Sequence, residues 1–316
     1  MQLRRIAASA LAVSTVLLGA ACAGDDLASD DAGSGSGGGD KGAVKISGQD
    51  FGEVQIVASM YEQLLDAEGY DASVQLVGTR DVYMGAGQFP ESVQLVPEYV
   101  GGIVDYLNTT ENGPDAEPLT TPDADESVAA AEDLLEAKGI TLLDPSAAVD
   151  TNAFFVTQEY SEAEGVTKLS DLEGKSVVVA AAEDCADRTD CGKGLTDDYG
   201  IDVTEFLPLG FASADVFKSV TDGESQLGLT STTDGTLESQ GMVLLEDDKQ
   251  IQPAQNLIPA VSSEWLADNG DVEGILNDLM AALTTEKLTE LNGQVSVDRA
   301  KPEDVAKEFL ESEGLL

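Results

Sequence analysis

From Val44 onward, short apolar runs of strand character alternate with stretches of helical spacing. This alternation limits the fold most tightly, because strand–helix–strand units build a largely parallel sheet with helices on its faces. Residues 44–47 read as a strand. Val54, Ile56, Val57, Met60, Tyr61, Leu64 and Leu65 then recur at helical spacing over residues 53–67. Residues 72–77 read as a strand, followed by a helix through Tyr83 and Met84. A strand at 92–96 is expected to stop at Pro97, which has no N–H for a ladder, and a helix follows at 103–107. The polar stretch 108–125, with its three prolines, reads as a surface loop. Residues 126–138 form an amphipathic helix closed by Gly139.

A second unit of the same kind starts with a strand at 152–157. It continues with a capped turn at 168–174 (Ser170 as N-cap), strands at 176–180 and 203–207, a helix at 212–220, and strands at 226–230 and 242–245. Residues 257–261 are expected to return the chain to the first unit. Helices at 272–283, 286–291 and 302–313 close it, the last with Pro302 suited to its first position. At 316 residues the chain has room for about two domains.

Leu95-Val96-Pro97-Glu98-Tyr99-Val100-Gly101-Gly102 places a tyrosine at the carboxyl end of a strand, beside two glycines that allow close backbone approach. Ligands of open α/β sheets bind at such strand ends, and a tyrosine offers them an apolar face and a polar tip. The plainer reading is that Tyr99 packs one domain's edge.

The charge balance narrows the function. Sixty acidic residues face sixteen basic ones, for a net charge of −44, which repels phosphate backbones and excludes a nucleic-acid partner. There is no histidine, so the usual general base and the commonest metal ligand are both missing. No metal site and no cofactor are expected. Glu98 with Asp50, or Glu183 with Asp184, are the carboxylate pairs an enzyme would use, but solvated surface charge explains them as well.

Met1 opens a segment with Arg4 and Arg5, then an apolar core at 6–18 too short to span a membrane, then Leu18-Gly19-Ala20-Ala21-Cys22. This resembles the signal peptide and lipobox of bacterial lipoproteins. It implies removal of residues 1–21, lipidation of Cys22 and a flexible Gly/Ser/Asp tether over 22–43. The body would then be held at the extracytoplasmic face of the cell membrane. Two cysteines remain, in Cys185-Ala186-Asp187-Arg188-Thr189-Asp190-Cys191. Even parity in an exported chain argues for a disulfide holding the Arg188 loop. A metal site or a catalytic dithiol is the weaker alternative.

Residues 48–53, 76–80, 96–102, 152–157, 232–235, 244–249 and 302–316, in this order and spacing, resemble the substrate-binding proteins of osmoprotectant (glycine betaine, choline, carnitine) ABC importers, the ProX/OpuC-like group, and the 185–191 loop resembles its actinobacterial branch. The resemblance implies an α/β, two-lobed periplasmic-binding-protein fold (type II) with two hinge crossovers. Lobe 1 would be 44–149 plus 257–316 and lobe 2 would be 150–256. It also implies a monomeric receptor that binds a small-molecule solute and delivers it to an ABC permease and its ATPase complex. Such proteins hold a quaternary ammonium in a box of tyrosines. Tyr99 keeps one box position, Phe154 stands at a second, and Ser231 and Ala254 replace two more. Gln49 and Gly102 stand where a lysine and a threonine would meet a ligand carboxylate, and Arg188 keeps the place of an arginine. The ligand-binding set implied is Asp50, Phe51, Thr79, Tyr99, Phe154, Arg188, Ser231, Thr232 and Asp234, with Tyr83 and Phe211 as further rings that could fill the box. The reduced box leaves two alternatives: a larger polyhydroxylated or aromatic solute, or a surface lipoprotein acting as sensor or adaptor.

Overall fold

The structure, a computed structural model, describes residues 41–316. The expected signal peptide, Cys22 and most of the expected tether lie outside the described residues. The first part of the chain runs β1 (Ala43–Ile46), α1 (Gly52–Ala67), β2 (Asp71–Val74), α2 (Arg80–Tyr83), β3 (Leu95–Tyr99), α3 (Val100–Asn112), α4 (Ala124–Ala130), α5 (Glu132–Lys138) and β4 (Ile140–Leu142). The middle part runs β5 (Asn152–Thr157), α6 (Gln158–Glu164), β6 (Ser176–Ala181), β7 (Asp202–Pro208), α7 (Ala214–Thr221), β8 (Leu227–Ser231) and β9 (Met242–Leu245). The chain then returns through β10 (Leu257–Ser262), α8 (Ser263–Asp268), α9 (Asp271–Ala282), α10 (Thr285–Ser296) and α11 (Pro302–Glu313).

These strands make two five-stranded sheets, in the orders β2-β1-β3-β10-β4 and β7-β6-β8-β5-β9. The two orders match place for place. In each, three parallel strands are followed by the strand laid down just after the chain has crossed between sheets, β10 or β5, and that strand is antiparallel to both its neighbours. The two crossings run side by side: Asp150 N–H donates to the Gln255 carbonyl at 3.0 Å, and Leu257 N–H to the Ala148 carbonyl at 2.9 Å.

Period-two alternation sorts each strand's side chains to two faces. In the first sheet Val44, Ile46, Leu95, Leu257 and Val261 pack under α1, α9, α10 and α11, while Val96, Ala260 and Ile140 pack under α3 and α5. In the second sheet Phe154, Val179 and Leu229 face the disulfide segment, and Phe155, Ala180 and Met242 face α7. Gly228 is fixed by this packing, since a Cβ there would fall 2.4 Å from the Phe155 ring. Trp265 packs on Tyr70 at 5.8 Å between ring centroids, and Phe89 is buried in the α3 cluster.

Four local expectations are corrected. The third strand does not stop at Pro97 but runs to Tyr99. Ser262 N–H donates to the Gln94 carbonyl, so pairs 96/260 and 98/258 carry the ladder bonds while Pro97 and Pro259 face each other between them. The proline nitrogen therefore points away from β10, toward a place where β1 has already ended. Residues 41–43, expected in the tether, belong to the folded body: Ala43 is in β1, Gly42 accepts from Asp71 N–H, and Lys41 donates to the Gly69 carbonyl and pairs with Asp271. The helix expected over 126–138 is two helices bent at Ala131, which brings Val128 and Leu135 onto one apolar cluster. Ser170 caps no helix; its hydroxyl donates to Asp248 at 2.6 Å.

Candidate functional site

The strand ends of both sheets converge on the paired crossings. Tyr99, the last residue of β3, lies opposite Leu257, the first of β10. Ser231, the last of β8, lies opposite Asn152, the first of β5. The loops that leave the parallel strands, at 47–51, 75–79, 182–193, 209–213 and 232–236, therefore sit at this end of the two sheets.

On the first sheet, Phe51 and Tyr99 form an aromatic surface with centroids 6.4 Å apart and planes inclined by 18°. Phe51 enters α1 in extended conformation and is 39% exposed, whereas Tyr99 is 6% exposed. Behind them lies a polar network. The Tyr99 hydroxyl donates to Glu53 Oε1 at 2.6 Å, and Asn292 Nδ2 donates to Glu53 Oε2 at 2.6 Å and to the Thr233 carbonyl at 2.9 Å. The Thr233 hydroxyl donates to Asp150 Oδ1 at 2.9 Å. The network thus joins α1, β3, the first crossing, the loop after β8, and α10. Burial, reinforced by the Asp150 charge, pushes the Glu53 carboxyl up to about 7. Burial also raises Asp150 and lifts the Tyr99 phenol well above its ordinary value.

Beside this lies an ion pair. Arg80 Nε and Nη2 each donate to a different oxygen of Glu98 at 2.9 Å, and the Tyr83 hydroxyl also donates to Glu98. Glu98 has no exposed surface. Burial pulls the Arg80 guanidinium down, and Glu98 more than offsets it, leaving it raised. A Cβ on Gly102 would fall 2.4 Å from Arg80 Nη2, and one on Gly101 2.8 Å from the Ala254 carbonyl. The two glycines thus admit Arg80 and the second crossing to the start of α3, where Gly101 N–H donates to the Ala254 carbonyl and Gly102 N–H to Gln255 Oε1.

On the second sheet, Cys185 and Cys191 are disulfide-bonded and buried. The loop they close carries Arg188, which grips Asp190 through Nε at 2.9 Å and through Nη2. Asp190 also accepts from Asn152 Nδ2 at 2.9 Å, and its carbonyl accepts from Gln252 at 2.6 Å. Burial raises the Asp105 carboxyl on α3, and the Asp190 charge adds to that rise.

The expected ligand set divides. Asp50, Phe51, Thr79 and Tyr99 gather at the first sheet's strand ends; Asp50 accepts from Gln55 Nε2 at 2.7 Å, and Thr79 is exposed just before α2. Arg188 and Ser231 lie at the facing ends of the second sheet. Phe154 does not join them, because it is 1% exposed inside the second sheet's core. Thr232 and Asp234 serve the backbone: Thr232 donates to the Val149 carbonyl at 2.6 Å and accepts from Thr151 N–H at 3.0 Å, and Asp234 accepts from Thr230, Thr236 N–H and the Thr236 hydroxyl. Tyr83 is buried against Glu98, and Ala254 is held in the second crossing by Thr121. Sequence reasoning passed over Glu53, Arg80, Asp150, Asp190, Thr233 and Asn292. Glu53 carried a signal, since it lies on the stripe of Val57, Met60 and Leu64, where a carboxylate is out of place.

Residues 42–312 match the model of the family described as the substrate binding domain of ABC-type glycine betaine transport systems. The glycine-betaine-binding protein of Pseudomonas aeruginosa is 27% identical over 284 residues, covering 86% of this chain and 88% of that one. The carnitine transport binding protein OpuCC of Listeria monocytogenes is 24% identical over 285 residues, covering 87% and 88%. The crystal structure of a glycine betaine/carnitine/choline ABC transporter protein superposes with a TM-score of 0.73 at 22% identity, covering 86% of this chain and 99% of that one. The fold is thus the two-lobed, α/β periplasmic-binding-protein fold, entered and left through the two crossings.

Proposed function

The chain belongs to the family of substrate-binding domains of ABC-type glycine betaine transport systems, and from that premise we propose that it is the extracytoplasmic receptor of an importer for a quaternary-ammonium solute. One lobe would be 44–149 with 257–316 and the other 150–256, closing on the solute about the paired crossings. The observation that carries the reading is the Phe51–Tyr99 surface at the strand ends beside those crossings, since a ring face attracts an ammonium. Asp50, Thr79, Arg188 and Ser231 would line the same space. Phe154, Thr232 and Asp234 would act only as support. Cys22 would carry the lipid that keeps the receptor, as a monomer, beside its permease and ATPase.

A receptor reading leaves no place for the carboxylate pair Glu98 and Asp50, and Glu98 is held by Arg80, Tyr83 and the Tyr99 N–H. The test is thermal unfolding of the full chain against choline, glycine betaine, carnitine and larger aromatic or polyhydroxylated solutes. At a hundredfold excess over Kd a ligand adds about 2.7 kcal/mol of stability, so a binder raises Tm by several degrees. A flat response across the panel overturns the proposal and favours the sensor or adaptor reading.

A further inference from the structure

We propose that this site selects a solute of net positive charge bearing no carboxylate, as choline does, and discriminates against zwitterions such as glycine betaine. The inference rests on the receptor reading above and adds the charge type of its ligand. A zwitterion needs a fixed cation for its carboxylate, and a guanidinium does this best when both arms of its fork are open. Neither arginine at the converging strand ends meets that condition. Arg80 already holds Glu98 with two parallel hydrogen bonds, and Glu98 is fully buried. Arg188 already holds Asp190 in the same manner, with Asp184 3.7 Å from its remaining arm. Diverting either guanidinium to a ligand would strand a carboxylate, and in the Glu98 case a buried one. The third cation of these loops, Lys193, is exposed beside the disulfide, where water competes for its ammonium.

The aromatic surface has the opposite setting. The groups facing Glu53 and Asp150 are Tyr99 from β3, Thr233, Ser231 and Asp234 from the end of β8 and its loop, and Asn292 from α10, and none is basic. A permanent cation against Phe51 and Tyr99 would supply the positive charge this setting lacks. Glu53 would be a positioning residue acting through Tyr99: as acceptor of the phenol's hydrogen bond it holds the ring and enriches the face that meets the cation. A ligand carboxylate would add one more negative charge to the same region.

Isothermal titration calorimetry on the full chain tests this with choline, glycine betaine, carnitine and 3,3-dimethylbutan-1-ol, the uncharged isostere of choline. Choline is expected to bind at least about tenfold tighter than glycine betaine, carnitine or the isostere. Glu53→Gln and Tyr99→Phe, which break the same hydrogen bond from opposite ends, are each expected to reduce the choline-to-isostere ratio. Asp190→Asn, which frees Arg188, is expected to improve glycine betaine more than choline. Glycine betaine or carnitine binding as tightly as choline overturns the selectivity and leaves the receptor reading standing. Equal losses for choline and its isostere in both hydrogen-bond variants overturn the role of Glu53. No binding by any of the four overturns both readings together.

Discussion

Phe154 and Tyr99 are both nearly buried rings, yet their surroundings separate their roles. Phe154 packs in the apolar core of the second sheet, so Phe154→Ala is expected to cost about 3–5 kcal/mol of stability, read from urea unfolding. A loss below about 1 kcal/mol would place the ring outside the core. Tyr99 meets Glu53, whose carboxyl is pushed up to about 7. The folded state then holds a proton that the unfolded chain releases nearer 4.5. Stability from this group is therefore full at acid pH and is lost as pH rises through about 7, the reverse of an ordinary salt-bridged carboxylate. Comparing Tm at pH 5 and pH 8 checks the sign: the unsubstituted protein should fall more on going to pH 8 than Glu53→Gln does. Parallel profiles would mean that Glu53 is ionised throughout.

At the scale of elements, the loop after β8 and helix α10 make the tightest joint. A Cβ on Gly235 would fall 2.3 Å from Gly293 N and 2.5 Å from the Thr289 carbonyl, both backbone atoms that cannot turn aside. Gly235→Ala is expected to lose about 1–3 kcal/mol, measured in denaturant, and to disturb the Asn292–Thr233 hydrogen bond; an unchanged midpoint would show that α10 can move. Much of the element order was legible because it rests on local periodicity: β5 and β9 fall on the expected residues, and Pro302 opens α11. The run through Pro97 was hidden because the direction of its nitrogen depends on a partner strand some 160 residues away. The neighbouring rings of Phe51 and Tyr99 were legible as candidates because they flank a strand end. Residues were hidden where their role is a contact between distant segments: Arg80 with Glu98, Asn292 with Thr233. The burial of Phe154 and the engagement of Thr232 and Asp234 were hidden too, since sequence cannot say which face a strand residue takes or that a hydroxyl is engaged by a crossing.

For the molecule as a whole, a net charge of −44 sets a background of self-repulsion. Sodium chloride raised from about 0.02 to 0.5 M shortens the screening length several-fold and is expected to raise Tm; a flat salt profile would mean that the acids are already spaced beyond mutual reach. The strand orders carry a different consequence, one of timing. β9, the last strand of the second sheet, ends at Leu245, while β4 has β10 as its sheet neighbour and waits for residues 257–262. A nascent or truncated chain ending before Leu257 can assemble the later-begun sheet in full while the earlier-begun one still has a gap in its middle. The half that is translated first is therefore the half that finishes last.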